Sequence, residues 1–309
     1  MAPVRQGGRV RAGVILLGSV LLLPVGVPTA QTPPPPPPNV GPAAVAVAAA
    51  PPDADIERFL LDGKVGDTHG TKKGVTGAQR ASLSTPTLTH DAQIQSIDEF
   101  KREFRTDRGV EFDFRDSWTF NVAAYKIDRM IGLNMVPVSV ERRYRSTPSA
   151  FTWWLDDVLM DEGDRLKKKI EAPDRGYWSR QTMMMRLFDQ LISNVDRNLG
   201  NIVYTKDWRL WPIDHTRAFR KNTELKTPSY ITRCDRKVFE GLKALDLATL
   251  KREVGKWLDD GQLKALLARR DQIVKKLEAL GPSALFDSTT PSLAPPATAL
   301  GPIRPGIRP

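Results

Sequence analysis

Cysteine and histidine are scarce, with one Cys and three His in 309 residues. A single Cys excludes an intramolecular disulfide framework and any multi-cysteine zinc or iron–sulfur site. Three scattered His leave no His-rich metal cluster. Internal repeats are absent. Charge is not one-sided either: 46 Lys+Arg stand against 36 Asp+Glu, a net of +10, and 27% charged residues of both signs is ordinary for a soluble surface. The basic balance therefore names no partner. The run Arg165-Leu-Lys-Lys-Lys169 has no interleaved aromatic for base stacking, so it reads as a solvated helix face and no nucleic-acid partner is expected.

Long apolar runs are limited to one, Ala12 to Val27, preceded by Arg5, Arg9 and Arg11 and followed by Pro28-Thr29-Ala30. A basic start, a short apolar stretch and small residues at its end describe a secretory signal peptide over residues 1–30. Pro24 and the short length argue against a spanning helix, which needs roughly 20 apolar residues; an uncleaved anchor is the alternative and would be the chain's one membrane contact. Either way the remainder is expected to be exported, periplasmic or extracellular, because the arginines stay inside. Residues 31–53, with Pro33 to Pro38 uninterrupted, read as a Pro/Ala-rich disordered linker, and 282–309 as a disordered tail. That leaves 54–281 to fold.

Within it, Arg80–Leu83, Asp91–Ile97, Val136–Arg142 and Ala150–Leu155 are short β-capable runs. One helix lies among them, Ser117 to Ile131, with Phe120, Ala124, Ile127 and Ile131 on one face and Asp116 or Ser117 as its cap. Beyond, helices are expected from Tyr177 to Ser193 (Met184, Leu187, Phe188, Leu191 and Ile192 inward) and from Gly261 to Leu280 (Leu263, Leu266, Leu267, Val274 and Leu277 inward). The fold class is α+β in two lobes: a strand-rich N-lobe with one helix, about 54–155, and a mainly helical C-lobe, about 156–281.

The chemistry concentrates between those helices. A polar turn holds Asp196 and, five residues on, Asn201. An apolar strand (Ile202–Tyr204), a turn (Thr205-Lys206-Asp207) and a second apolar strand ending at Asp214 then form a hairpin that returns Asp214 beside Asn201. Phosphoryl transfer uses this set: one carboxylate to orient an attacking hydroxyl, an amide oxygen and a second carboxylate to hold Mg²⁺ against phosphates. Asp, Asn and Asp are the hard oxygen donors that such a cation prefers.

At these residues the chain resembles the protein-kinase-like superfamily, in its atypical branches: the phosphatidylinositol 3- and 4-kinases, the HipA-type kinases and the secretory-pathway (Golgi casein kinase) family. Asn194, Asp196, Arg197 and Asn201 match the Asn-x-Asp-Arg-x-x-x-Asn catalytic loop, and Ile213-Asp214-His215 the metal-binding Asp. The phrase from Ala123 to Leu133, with Val136-Pro137 and Val140-Glu141-Arg142 after it, is similar to the small-lobe helix and next strand of the secretory kinases. The resemblance implies catalytic roles for Asp196 and Arg197, Mg or Mn held by Asn201 and Asp214, ATP as donor, and a hydroxyl acceptor that is protein, saccharide or lipid. The chain departs at the nucleotide clamp. Where kinase-like folds place a Lys on a strand and a Glu on the next helix, the matching positions are Gln95 (Gln93 in a slipped register) and Asn121, which could still hydrogen-bond each other. Lys72, Lys73 and Gly74, in Gly70-Thr-Lys-Lys-Gly74-Val-Thr-Gly77, could cradle phosphates in their place. Asp189 is expected to brace the loop through backbone N–H groups, Arg197 equally to pair a carboxylate, and His215 to hydrogen-bond behind the site. Trp153-Trp154 and Asp156-Asp157 fall at the inter-lobe hinge, and Cys234 is inert. The neutral clamp opens an alternative: a weak or inactive pseudokinase module binding nucleotide, sugar phosphate or a partner protein at the envelope.

Overall fold

The computed structural model describes residues 52–70, 77–106 and 109–288. The signal segment, nearly all of the Pro/Ala-rich linker, most of the tail, and Lys72, Lys73 and Gly74 lie outside these residues. The N-lobe contains helix α1 (Asp53–Asp62), strands β1 (Lys64–Gly70), β2 (Gln79–Ser84), β3 (Thr89–Gln95), β4 (Asp98–Thr106) and β5 (Gly109–Ser117), helix α2 (Thr119–Met130), and strands β6 (Ser139–Tyr144) and β7 (Thr147–Trp153). Five of the strands make one antiparallel sheet in the order β1-β2-β3-β7-β6, while β4 and β5 pair only with each other as a separate hairpin arm. Ala92 and Ile94 of β3 are buried, which fixes the register that sets Gln95 at the inner end of the strand, opposite Ala150.

The C-lobe begins with β8 (Val158–Asp161), α3 (Glu162–Lys167) and α4 (Arg175–Leu191), then β9 (Ile202–Thr205) and β10 (Leu210–Pro212). These three strands form a small sheet, β10-β9-β8. It closes with β11 (Cys234–Asp235), α5 (Arg236–Ala244), α6 (Leu247–Val254), α7 (Asp260–Leu280) and β12 (Leu285–Phe286). One hydrophobic core joins both lobes, running from Phe59 and Ile94 through Phe120 and Ile127 to Phe188, Leu263 and Leu277. No helix among the described residues is long and apolar enough to cross a membrane.

The periodic faces fold as their spacing requires. Phe120, Ala124, Ile127 and Ile131 are all buried, as are Met184, Leu187, Phe188, Leu191 and Ile192. On α7, Leu263, Leu266 and Leu277 are buried, but Leu267 and Val274 are only partly so. Helix starts differ by a turn or less. Asp174 caps α4 by accepting from Tyr177 N at 2.9 Å, so the helix opens at Arg175 rather than Tyr177. Asp116 does not cap α2, whose N-cap position is Trp118, but Ser117 Oγ accepts from Thr119 N, the first residue of the helix, at 3.4 Å. The Ser117 backbone N also donates to Thr216 O at 2.9 Å, which ties the start of the helix to the C-lobe.

The fold also extends past both expected limits and holds a second N-lobe helix. α1 starts at Asp53, directly after the proline tract, and buries Ile56, Phe59 and Leu60. At the other end, residues 282–288 are part of the fold: β12 pairs in parallel with Cys234 and Asp235, and Asp235 both caps α5 and accepts from Ser288 N at 3.1 Å.

Candidate active site

The loop after α4 is wound around one buried carboxylate. Asp189 accepts from Asn194 Nδ2 at 3.1 Å and from Arg197 Nε and Nη2, each at 3.0 Å. These donors are side chains, not the backbone N–H groups expected from sequence. Asn194 in turn accepts from Asp196 N at 3.1 Å. This fixes the backbone of Asp196 while its carboxylate stays exposed and makes no hydrogen bond among the described residues. Asn198 caps the short 3-10 turn Leu199–Asn201, accepting from Gly200 N and Asn201 N. That turn lets Asn201 Nδ2 reach back to the Asp196 carbonyl at 3.3 Å.

Arg197 carries the loop onto the hairpin. Its Nη1 donates to Asn201 O at 2.9 Å and to Ile213 O at 2.5 Å. Ile213 N donates to Asn201 O at 3.0 Å, and the β9–β10 register, Trp211 with Val203 and Pro212 with Ile202, brings Asp214 back beside Asn201. Nε, Nη1 and Nη2 of Arg197 are all engaged, and its side chain is 10% exposed. Asp214 sits at φ 54°, a left-handed conformation that a non-glycine residue holds only where its surroundings enforce it. Its Oδ1 accepts from the Thr216 hydroxyl at 2.9 Å.

The lobes are stitched together by amides. Asn121 Nδ2 on α2 donates to Gln95 Oε1 on β3 at 2.8 Å, and Asn121 Oδ1 accepts from His215 N at 2.8 Å. Strand β3, helix α2 and the turn after β10 are thus joined through one buried side chain. His215 reaches this network through its backbone, not its ring. The ring is fully buried with Nε2 unpartnered among the described residues, and burial together with the Arg197 charge pushes its pKa well below the ordinary range. At the hinge, Trp153 is a core residue stacked on His90 at 3.5 Å, and His90 Nε2 bonds Asp156 at 2.8 Å. Burial pushes the Cys234 thiol up, in keeping with an inert role.

Asp116 was missed as a site residue. It is buried beside the Asp214–Thr216 turn, and burial, offset in part by the Thr216 hydroxyl, raises its pKa, with Asp214 adding to the rise. Only its place before an apolar helical face was visible in the sequence, and that pointed to a cap.

No cluster of three His, Cys, Asp or Glu able to hold a metal occurs among the described residues. Asn201 and Asp214 supply two oxygen donors beside the exposed Asp196, which fits a cation that takes few protein ligands and completes its shell with phosphate and water.

No family model and no curated protein sequence matches the chain. Solved structures do. A hydra Fam20 structure with sugar is similar at a TM-score of 0.59 and 16% identity, over 79% of this chain and 96% of that one. The Golgi casein kinase, solved with Mn/ADP bound, is similar at 0.54 and 13% identity, over 75% and 76%. The fold is protein-kinase-like, of the atypical kind.

Proposed function

We propose that the protein is an exported, atypical kinase-like phosphotransferase that moves the γ-phosphate of ATP to a hydroxyl acceptor. The observation that supports this reading is the junction of loop and hairpin, where Ile213 N, next to Asp214, donates to Asn201 O and Asn201 Nδ2 donates to Asp196 O. Asp196 orients the acceptor hydroxyl and takes its proton as the oxygen–phosphorus bond forms and the bond to the β-phosphate breaks. Asn201 and Asp214 hold Mg or Mn, which when bound neutralises the phosphate charge. Arg197 positions both from behind, and Gln95 with Asn121 lines the nucleotide side, with Lys72, Lys73 and Gly74 in the expected phosphate loop. The solved Golgi casein kinase with Mn/ADP supports the choice of metal and nucleotide. The acceptor is a protein, a saccharide or a lipid.

The test mixes the purified chain with radiolabelled ATP, Mg²⁺ or Mn²⁺ and generic acceptors. Label transfer or hydrolysis that Asp196→Ala abolishes supports the reading; no turnover, with Asp196→Ala equal to the parent, overturns it. The neutral Gln95–Asn121 pair favours one second reading, a module that binds nucleotide, sugar phosphate or a partner protein without turnover. Metal-dependent thermal stabilisation by ATP with no transfer would mark it; ligand at about 100 times Kd adds about 2.7 kcal/mol.

A further inference from the structure

Beside the catalytic loop, a cavity of about 660 Å³ opens between the β4–β5 arm and the segment 195–226. Small-molecule sites run from about 300 to 1,000 Å³, so the size suits a compact ligand. Its wall reaches Val195, the residue before Asp196. Arg115, Arg217, Arg220, Lys221 and Lys226 line it against two carboxylates, Glu111 and Asp113. Lys221 and Lys226 are exposed at its rim.

Glu111 already holds the best anion seat in this cavity. Its Oε2 accepts from Arg217 Nη2 at 2.5 Å, and its Oε1 accepts from Arg220 Nη2. Arg220 Nη1 donates to Asp113 O at 2.8 Å. The Nε atoms of Arg115, Arg217 and Arg220 are buried away from the open space of the cavity, so the seat is made by the Arg217 and Arg220 Nη2 atoms that converge on Glu111. Converging guanidinium groups are the usual complement of a carboxylate or phosphate. The carboxylate filling the seat comes from a two-stranded arm outside the main sheet. The seat is therefore built for an anion and filled by one on loan from the chain.

The geometry points to this cavity as the acceptor pocket, taking a small hydroxyl compound that bears a carboxylate or phosphate, its anion displacing Glu111 from between Arg217 and Arg220. This rests on the phosphotransferase reading above. The acceptor oxygen bonds to the γ-phosphorus, the bond to the β-phosphate breaks, Asp196 takes the hydroxyl proton and ADP leaves. The anchoring anion is not consumed. An extended acidic peptide suits the site less well, because the arm forms one wall of the cavity.

Two measurements on the full chain test this. Calorimetric titration with inorganic phosphate should show binding that Glu111→Gln strengthens and Arg220→Gln weakens by about tenfold or more, the loss of one charged hydrogen bond. Should Arg220→Gln fail to fold, Glu111→Gln and the exposed Lys226→Gln carry the comparison. Transfer assays then set sugar phosphates and sugar acids, as separate arms, against their neutral parent sugars. Preference for either anionic arm supports the pocket and tells phosphate from carboxylate. Phosphate binding indifferent to both Glu111→Gln and Arg220→Gln, equal use of neutral sugars, or transfer to acidic peptides alone overturns it. Binding of ATP with Mn²⁺ by the parent chain, read in the same samples, separates the failures. Nucleotide bound and phosphate ignored sinks the pocket alone; no nucleotide bound sinks the phosphotransferase and the acceptor assignment together.

Discussion

The two sides of the cleft are held by different chemistry. On the catalytic-loop side, a buried ion pair, Arg197–Asp189, is saturated with hydrogen bonds from Asn194 and to the carbonyls of Asn201 and Ile213. Between β3 and α2, two neutral amides meet, Gln95 at 1% exposure and Asn121 at 6%. A buried ion pair carries a desolvation cost of several kcal/mol per ion and needs every remaining donor and acceptor met. Arg197 meets that demand with three engaged nitrogens. Gln95 and Asn121 avoid it, yet keep the mechanical link, because the same Asn121 reaches His215 N. The lesson is that joining strand, helix and turn does not require charge, whereas holding a loop with an exposed carboxylate against two strands here uses it.

If that division of labour is real, the largest effect should come from the exposed carboxylate. Asp196→Asn removes a group that no other residue holds in place, so it should lower transfer by about 10²–10⁴-fold while leaving the melting temperature nearly unchanged. A comparable rate in the variant would mean that the loop side contributes only architecture. Next in size is the ion pair. Arg197→Met leaves Asp189 buried without its counter-charge, and breaking such a pair typically costs about 3–5 kcal/mol. Urea unfolding should show that loss, with nucleotide affinity falling as Asn201 and Ile213 lose their shared donor. An unchanged midpoint would place the loop's support elsewhere.

Much of the loop side was legible in the sequence because its parts are local. Asp189, Asp196, Asn201 and Asp214 lie on one helix, one turn and one hairpin, and apolar periodicity with turn chemistry places all three elements. The Gln95–Asn121 hydrogen bond was legible only through resemblance, since nothing in the spacing of the two residues pairs them. The arm was not legible. Phe100 and Phe112 are exposed, so β4 and β5 show no clean inward face, and the Glu111 contacts with Arg217 and Arg220 span more than a hundred residues of chain. α1 was hidden by its position against the proline tract. Asp116 was hidden by a correct rule in the wrong place: an Asp before an apolar helix usually caps it, but the Asp116 carboxyl is buried against Thr216, and Ser117 Oγ meets the first N–H of the helix.

The clamp can be converted to sharpen the contrast. Gln95→Lys with Asn121→Glu restores an ion pair at the same two positions and retains an acceptor for His215 N. A preorganised donor at developing charge is worth about 2.7–4 kcal/mol, or roughly 10²–10³ in rate. The double variant should therefore transfer faster by up to that factor, while Gln95→Lys alone, which buries a single charge, should unfold at lower temperature. A double-mutant cycle with no coupling between the two positions would show that the amides do not act as a clamp.

The smallest effect concerns what stands behind the loop side. α7 is its backing: Gln262 Nε2 donates to Phe219 O at 3.1 Å, and Arg269 donates to Leu191 O and Arg220 O. Asp259 starts that helix in a capping box with Gln262. Burial would raise its pKa, but the Gln262 N–H and the Lys221 ammonium outweigh burial and leave it lowered. Its folded-state value lies below the unfolded one, so its contribution is whole above the ordinary carboxylate value of about 4 and is lost as pH falls through the depressed value. Asp259→Ala should cost about 1 kcal/mol at neutral pH, and the gap to the parent should narrow below about pH 4. Melting curves at pH 7 and pH 3 check both parts. Among the described residues the Gln95–Asn121 pair shares no hydrogen-bond partner with this cap, so Asp259→Ala should leave Gln95–Asn121 coupling intact; if the coupling falls with it, the two regions are one structure and the contrast between them dissolves.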